Sequence, residues 1–406
     1  MDINTKEHNI NELFSVNRQY FIDFYQRDYQ WKEEHIDKLL EDLFYRFSLE
    51  YSPNHDATEE SISKYDWYYL NAYVTNEYNS NTYIVDGQQR LTSITLILIK
   101  LYQLANHFEI EDLSEFIKEH IFGMSLNGRK FWMGHDTRKD VLEDLIKNGQ
   151  QTMQDVDQSD ISIRNLYNNY ATVNKKTDTF LQDEHKFRSF TIYFLQKVML
   201  VRIHINNTKD VPMVFEVIND RGERLKPYEV LKGKLLGQIP KNEIDKYHSV
   251  WQEIVHNIQS LDESEVDNFF RFYFRAKHIN SQAEYREFDG EYHKKIYEQK
   301  WNEKINLKQN INGVKDFVSK ELDYFGSLYI KILQDSKTEN PTIAKHLLYN
   351  DLNDQDRQFL LILSACKPND PEEIVKIKLI SKLFDKHFTV LQLSGAYDSN
   401  KFTESI

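Results

Sequence analysis

Asp86-Gly87-Gln88-Gln89-Arg90 places an acid, a flexible glycine, two amides and a guanidinium in five consecutive residues. They lie between the apolar Tyr83-Ile84-Val85 and Leu91-Thr92-Ser93-Ile94-Thr95-Leu96-Ile97-Leu98. The pattern reads as a buried strand, a polar turn and the first turn of a helix. A helix begins with unpaired N–H groups and a partial positive charge, so Gly87 to Arg90 suit an anion and Arg90 adds a two-pronged donor. Asp86 then has a metal ion to hold or a water to orient, the chemistry of phosphate groups. The same residues also suit a plain strand-to-helix turn in which Asp86 caps the helix and Arg90 pairs with it. Spacing alone leaves both readings open.

Two further polar clusters are embedded in apolar sequence: Gln26-Arg27 with Tyr29 and Trp31, and Asn219 to Arg224 followed by Lys232. Charged groups are rarely buried without partners, so clusters next to sheet strands either pair with one another or face a cleft. The elements that must position them are legible in outline. Residues 20–24, 67–74, 82–85 and 197–205 have strand character, the last rejoining the N-terminal sheet. Residues 32–49 carry Ile36, Leu39, Leu40, Leu43 and Phe47 on one helical stripe. Pro227 suits the first position of a helix over 228–236, and helical patterns cover 266–276, 311–333 and 371–384. The fold class is α+β, an N-terminal α/β domain followed by a mainly helical region. The expected divisions are 1–105 with the turn, a helical insertion over 106–196, a strand and helices over 197–240 that complete the cleft, and a helical domain over 241–406.

Composition narrows the function. A chain of 406 residues with 40% hydrophobic and 14% aromatic content folds into more than one sizeable core. Acidic residues outnumber basic ones 64 to 51, a net charge of -13, so any DNA contact needs a local basic cleft. The single cysteine, Cys366, excludes an intramolecular disulfide and a cysteine-rich zinc module. No secretory leader and no run long enough to span a bilayer is visible, so the expected location is cytoplasmic, away from membranes.

A second candidate surface is the run 128–139, where Arg129, Lys130, Arg138 and Lys139 accompany Phe131 and Trp132. Such a run suits a phosphate backbone with Trp132 stacked on a base, or a solvated loop with its aromatics turned inward. His107, His120 and His135 have no metal-ligand spacing, and no Walker-type glycine loop is present.

The sequences Phe24-Tyr25-Gln26-Arg27-Asp28-Tyr29-Gln30-Trp31, Ile84-Val85-Asp86-Gly87-Gln88-Gln89-Arg90-Leu91-Thr92 and Phe215-Glu216-Val217-Ile218-Asn219-Asp220-Arg221-Gly222-Glu223-Arg224-Leu225 resemble, in order and separation, three signatures of one family. It is the ParB-like N-terminal domain of GmrSD-type restriction proteins. The resemblance implies a ParB/sulfiredoxin-like fold whose Asp-Gly-Gln-Gln-Arg turn lies in a nucleotide cleft, NTP hydrolysis, and defence against phage or modified DNA. Carried over by position, Asp86, Gln89 and Arg90 are the catalytic candidates, with Asp86 also the metal ligand. Gln26, Arg27, Gly87, Gln88, Asn219, Arg221, Gly222 and Lys232 are the nucleotide-binding candidates. The implied cofactor is Mg2+ with a nucleoside triphosphate, and the implied partners are nucleotide and DNA. Relatives commonly carry a C-terminal His-Asn-His nuclease domain, but no histidine-rich segment follows His387 here. The expectation is therefore a nuclease that is separate or missing. The same cleft also admits a metal-dependent DNA endonuclease, or a nucleotide- or DNA-binding switch without turnover.

Overall fold

The computed structural model describes residues 2–14, 19–22, 29–125, 128–134, 136–149, 161–207, 211, 214, 225–399 and 401–402. The chain divides into two units, Met1–Glu223 and Arg224–Ile406, so the division falls inside the segment 197–240. Gln26, Arg27, Asn219, Arg221 and Gly222 lie outside the described residues.

The first unit is built on one mixed sheet. Its strands are β1 (Ile3–Asn9), β2 (Tyr20–Ile22), β3 (Tyr68–Tyr78), β4 (Asn81–Asp86), β7 (Met133–Gly134) and β8 (Val198–Ile205), with β5 (Phe122–Ser125) and β6 (Gly128–Phe131) forming a separate hairpin. Hydrogen bonding orders the sheet β1-β8-β3-β4-β2-β7. β8 runs antiparallel to β1 and parallel to β3, so the segment near residue 200 does rejoin the N-terminal sheet. The β3–β4 hairpin turns through Asn79 and Ser80, both at positive φ.

Helix Gln88–His107 is the centre of this unit. Leu91, Ile94, Leu96, Ile97, Leu98, Ile99 and Leu101 are all buried, as expected of a helix that is apolar on every side. The one lysine in its interior, Lys100, reaches Asp178 at 2.6 Å. Around it, helix Glu33–Glu50 buries the predicted stripe Ile36, Leu39, Leu40, Leu43 and Phe47. Helices Ile161–Phe180 and Glu184–Lys197 complete the core.

The second unit is helical among its described residues. Aromatic rings interlock in its core: Trp251 stacks on Phe270, and Phe269, Tyr273 and Phe325 pack around Tyr329 and Phe317. Cys366 is buried here, and burial pushes its thiol up to about 11, which makes it a packing residue rather than a nucleophile. Among the described residues no helix is long and apolar enough to cross a membrane.

Candidate functional site

β4 delivers the turn. Its residues Ile84 and Asp86 pair with Thr75 and Val74 of β3, so the register shifts by one residue just before the chain leaves the sheet. Bulges of this kind bend a strand and re-aim its last side chain. Gly87 then takes φ 96° and ψ 2°, the left-handed region. A β-carbon there would stand 2.7 Å from the β-carbon of Tyr73 and 3.2 Å from its α-carbon. Glycine is thus required twice, by backbone and by space. The Leu91 N–H donates to the Gly87 carbonyl at 3.0 Å and starts helix Gln88–His107, whose first turn contains no acid of its own.

The four side chains of the turn go different ways. Arg90 donates through Nη2 to the Ala72 carbonyl at 2.7 Å and stands 3.4 Å from Asp86 Oδ2. Both side chains remain partly open to solvent, so Asp86 is reachable, and the pairing expected of a plain turn is present but long. Gln89 accepts on Oε1 from the N–H groups of Gln30 and Trp31, at 2.9 and 3.2 Å. Its amide oxygen therefore fastens the incoming chain. Gln88 is 2% exposed, and among the described residues neither atom of its amide has a hydrogen-bond partner. One turn on, on the same helix face, the buried Thr92 hydroxyl has none among the described residues either. Each orphaned group costs about 1–3 kcal/mol, and such groups in a folded protein call for a reason.

The described residues that flank 23–28 are tied in place on each side. Ile22 pairs with Ile84, two residues before Asp86. On the far side the Tyr29 N–H donates to Ser162 Oγ at 2.7 Å, and Asn165 Nδ2 donates to the Tyr29 carbonyl at 2.9 Å. Asn169 Nδ2 donates to the Trp31 carbonyl at 2.6 Å and to the Tyr29 hydroxyl at 3.0 Å. That hydroxyl also meets Ser93 Oγ at 2.7 Å, on the site helix. Burial pushes the Tyr29 phenol up to about 12, so it stays protonated. Ile22 on one side and Tyr29 to Trp31 on the other are thus held beside the strand and helix that carry the Asp86 turn.

Behind the turn, Tyr73 OH meets His8 Nδ1 at 2.7 Å and Tyr20 OH at 3.4 Å, and Tyr20 donates to the Leu13 carbonyl. In register with Tyr73 on β8 stands Arg202, which donates through Nε to Thr75 Oγ1 at 2.8 Å and through Nη2 to His204 Nδ1 at 3.1 Å. Burial and the Arg202 charge hold His204 below its ordinary value, so its ring stays neutral and accepts. This pair escapes motif reading. The spacing of two in a strand, which puts both side chains on one face, was the available signal.

The basic run resolves differently from its base-stacking reading. Trp132 is buried, its indole N–H donates to the Glu119 carbonyl at 2.6 Å, and its ring fills the space beside Gly123. It has no face to offer a base. Arg138 is also buried, and its charge is felt weakly at the Tyr29 phenol. Arg129 lies 4.9 Å over the Phe122 ring, Lys130 is exposed, and Lys139 reaches Glu143 at 4.0 Å. Lys232 is buried on helix Pro227–Leu236 of the second unit, where Pro227 occupies the first turn as predicted. Among the described residues no three His, Cys, Asp or Glu side chains converge as a metal cage. A magnesium ion needs none, since it binds through one or two carboxylates with phosphate and water oxygens, and Asp86 fits that donor set.

A comparison with curated proteins finds no match. The family model described as the GmrSD restriction endonuclease, N-terminal domain, matches residues 10–236 and so spans the turn, both flanking segments and Lys232. With three ordered signatures inside a match that covers more than half of its 406 residues, the chain belongs to the family of GmrSD restriction endonuclease N-terminal domains.

Proposed function

We propose that the Asp86–Arg90 turn is a nucleoside-triphosphate site, and that the chain is the NTP-hydrolysing component of a restriction system that senses foreign or modified DNA and licenses a nuclease. The observation that carries this reading is the Gln88 amide, buried at the first position of a helix with both of its polar atoms lacking partners among the described residues. Side chains on a helix lean toward its N-terminus, so this amide leans toward the turn, beside the first-turn N–H groups. A polar ligand satisfies all of them at once. On this reading the sheet unit is a ParB/sulfiredoxin-like domain, and Gln26 and Arg27 line the same cleft.

In a loose phosphoryl-transfer transition state, catalysis is mainly charge stabilisation and water positioning. The first-turn amides cradle phosphate oxygens and Arg90 supplies fixed positive charge. Asp86 holds magnesium or orients the attacking water; the bound ion supplies neutralisation of the triphosphate. Gln89 keeps residues 30 and 31 in place. The fastening of Arg90 and Gln89 to backbone also favours a second reading, a switch that binds nucleotide without turning it over.

Hydrolysis of ATP, GTP, CTP and UTP, with and without modified DNA, decides between them. Asp86→Ala and Arg90→Ala are expected to abolish turnover with circular dichroism unchanged. A folded double variant that hydrolyses at the native rate ends the catalytic reading. Tight nucleotide binding with no turnover of any triphosphate selects the switch.

A further inference from the structure

Helix Glu373–Leu393 of the second unit is apolar on two faces. The inner face, Ile377, Phe384 and Phe388, is buried. The outer one is not: Val375, Leu379, Leu383, Val390 and Leu393 are exposed, Leu393 by 85% and Val375 by 63%. Their spacing, with Lys386 supplying the step between Leu383 and Val390, follows the helical repeat, so they form one straight stripe along the helix. The methylene stem of Lys386 keeps the stripe continuous. A stripe of this kind is uncommon on a surface that stays in water.

The charges beside it identify what fits. Lys378 and Lys382 are exposed along one border of the stripe and Lys386 is exposed within it, and none of the three forms an ion pair among the described residues. Lys331 and Lys376, in contrast, are paired with Glu373 and Asp370. The only two acids of the helix are engaged as well, Glu373 with Tyr324 and Lys331, and Asp385 with His346. A second copy of the same face would therefore bring three lysines against three lysines, outnumbering the exposed Glu372 that precedes the helix. Nucleic acid would leave the aliphatic row without apolar contact. We propose that this face docks an amphipathic helix of another polypeptide, one that carries an apolar ridge flanked by glutamate or aspartate.

The test uses the full chain and two labelled 21-residue helical peptides with leucine at alternate third and fourth positions, one flanked by glutamates and the other by lysines. Fluorescence anisotropy is expected to show the acidic peptide binding at least tenfold more tightly than the basic one. Leu379→Asp with Leu383→Asp should cost the acidic peptide tenfold or more, and Leu393→Asp alone should cost it less, about threefold. These positions are exposed, so Tm should hold. Replacing Lys378, Lys382 and Lys386 by glutamate should invert the preference between the peptides. Equal binding of both peptides, or binding of neither, overturns the proposal. So does self-association of the chain abolished by Leu379→Asp, or a preference for phosphatidylserine vesicles over the acidic peptide.

Discussion

A methyl group at position 87 has nowhere to go, because the β-carbon of Tyr73 is 2.7 Å from where it would stand and φ is 96°. Gly87→Ala is expected to cost about 1–3 kcal/mol from the backbone alone, before Tyr73 is displaced, and urea unfolding measures it. Gln88 gives the opposite sign. Gln88→Leu fills the same volume without orphaned polar atoms, so it should stabilise the ligand-free protein by about 1–3 kcal/mol while weakening nucleotide binding. Thermal unfolding with and without nucleotide reads both effects. A destabilised Gln88→Leu protein would mean that the amide serves the fold instead of a ligand. At this scale the five-residue turn was legible from its types and order. Which side chain faces inward was not, because Ala72, Gln30 and Trp31, the acceptor and donors that capture Arg90 and Gln89, reach the turn only through tertiary structure.

Among the elements, the clasp around Tyr29 links three pieces of chain through Asn165, Asn169 and Ser93. Asn169→Ala removes two of its donations, to the Tyr29 hydroxyl and the Trp31 carbonyl. It should cost about 1–3 kcal/mol and, more tellingly, speed hydrogen exchange at the Gln30 and Trp31 amides. Unchanged exchange would show that Gln89 holds these residues alone. Long helices were readable from their period, as the stripe of Glu33–Glu50 shows. β1 was not, because Ile3–Asn9 is a mostly exposed edge strand whose polar residues do not alternate, and two-residue β7 has no pattern at all. The pattern over 311–333 reads as one helix. The chain instead inserts a π-helical stretch, Phe317–Leu322, between Ile311–Asp316 and Asp323–Lys337, a change of hydrogen-bond partner that leaves side-chain periodicity nearly intact.

For the molecule as a whole, partly or fully buried histidines contribute to the response to acid. Burial, with the Lys277 charge beside it, lowers His278 from 6.5 to about 4, and burial also lowers His120 and His204. Above pH 6.5 folded and unfolded chains both carry a neutral His278. Between pH 6.5 and 4 only the unfolded chain takes up the proton, so stability falls through that window, by up to about 3 kcal/mol for this group. His278→Phe is expected to flatten the decline in Tm between pH 6.5 and 4, and an unchanged slope would assign the acid response elsewhere.

The sheet order also governs how the protein is made. β3 lies between β4, its neighbour in sequence, and β8, which ends at Ile205 and also pairs with the first strand of the chain. A ribosome adding about 5–20 residues per second needs roughly 5–25 s after Asp86 to deliver the end of β8. For that interval β1 has no partner and one edge of β3 offers its peptide groups to any neighbouring nascent chain. Arg202 and His204 are also still to come. The turn that heads the site helix is translated early and reaches its finished setting late, so an interrupted product of synthesis would carry the Asp86–Arg90 motif without the sheet that supports it.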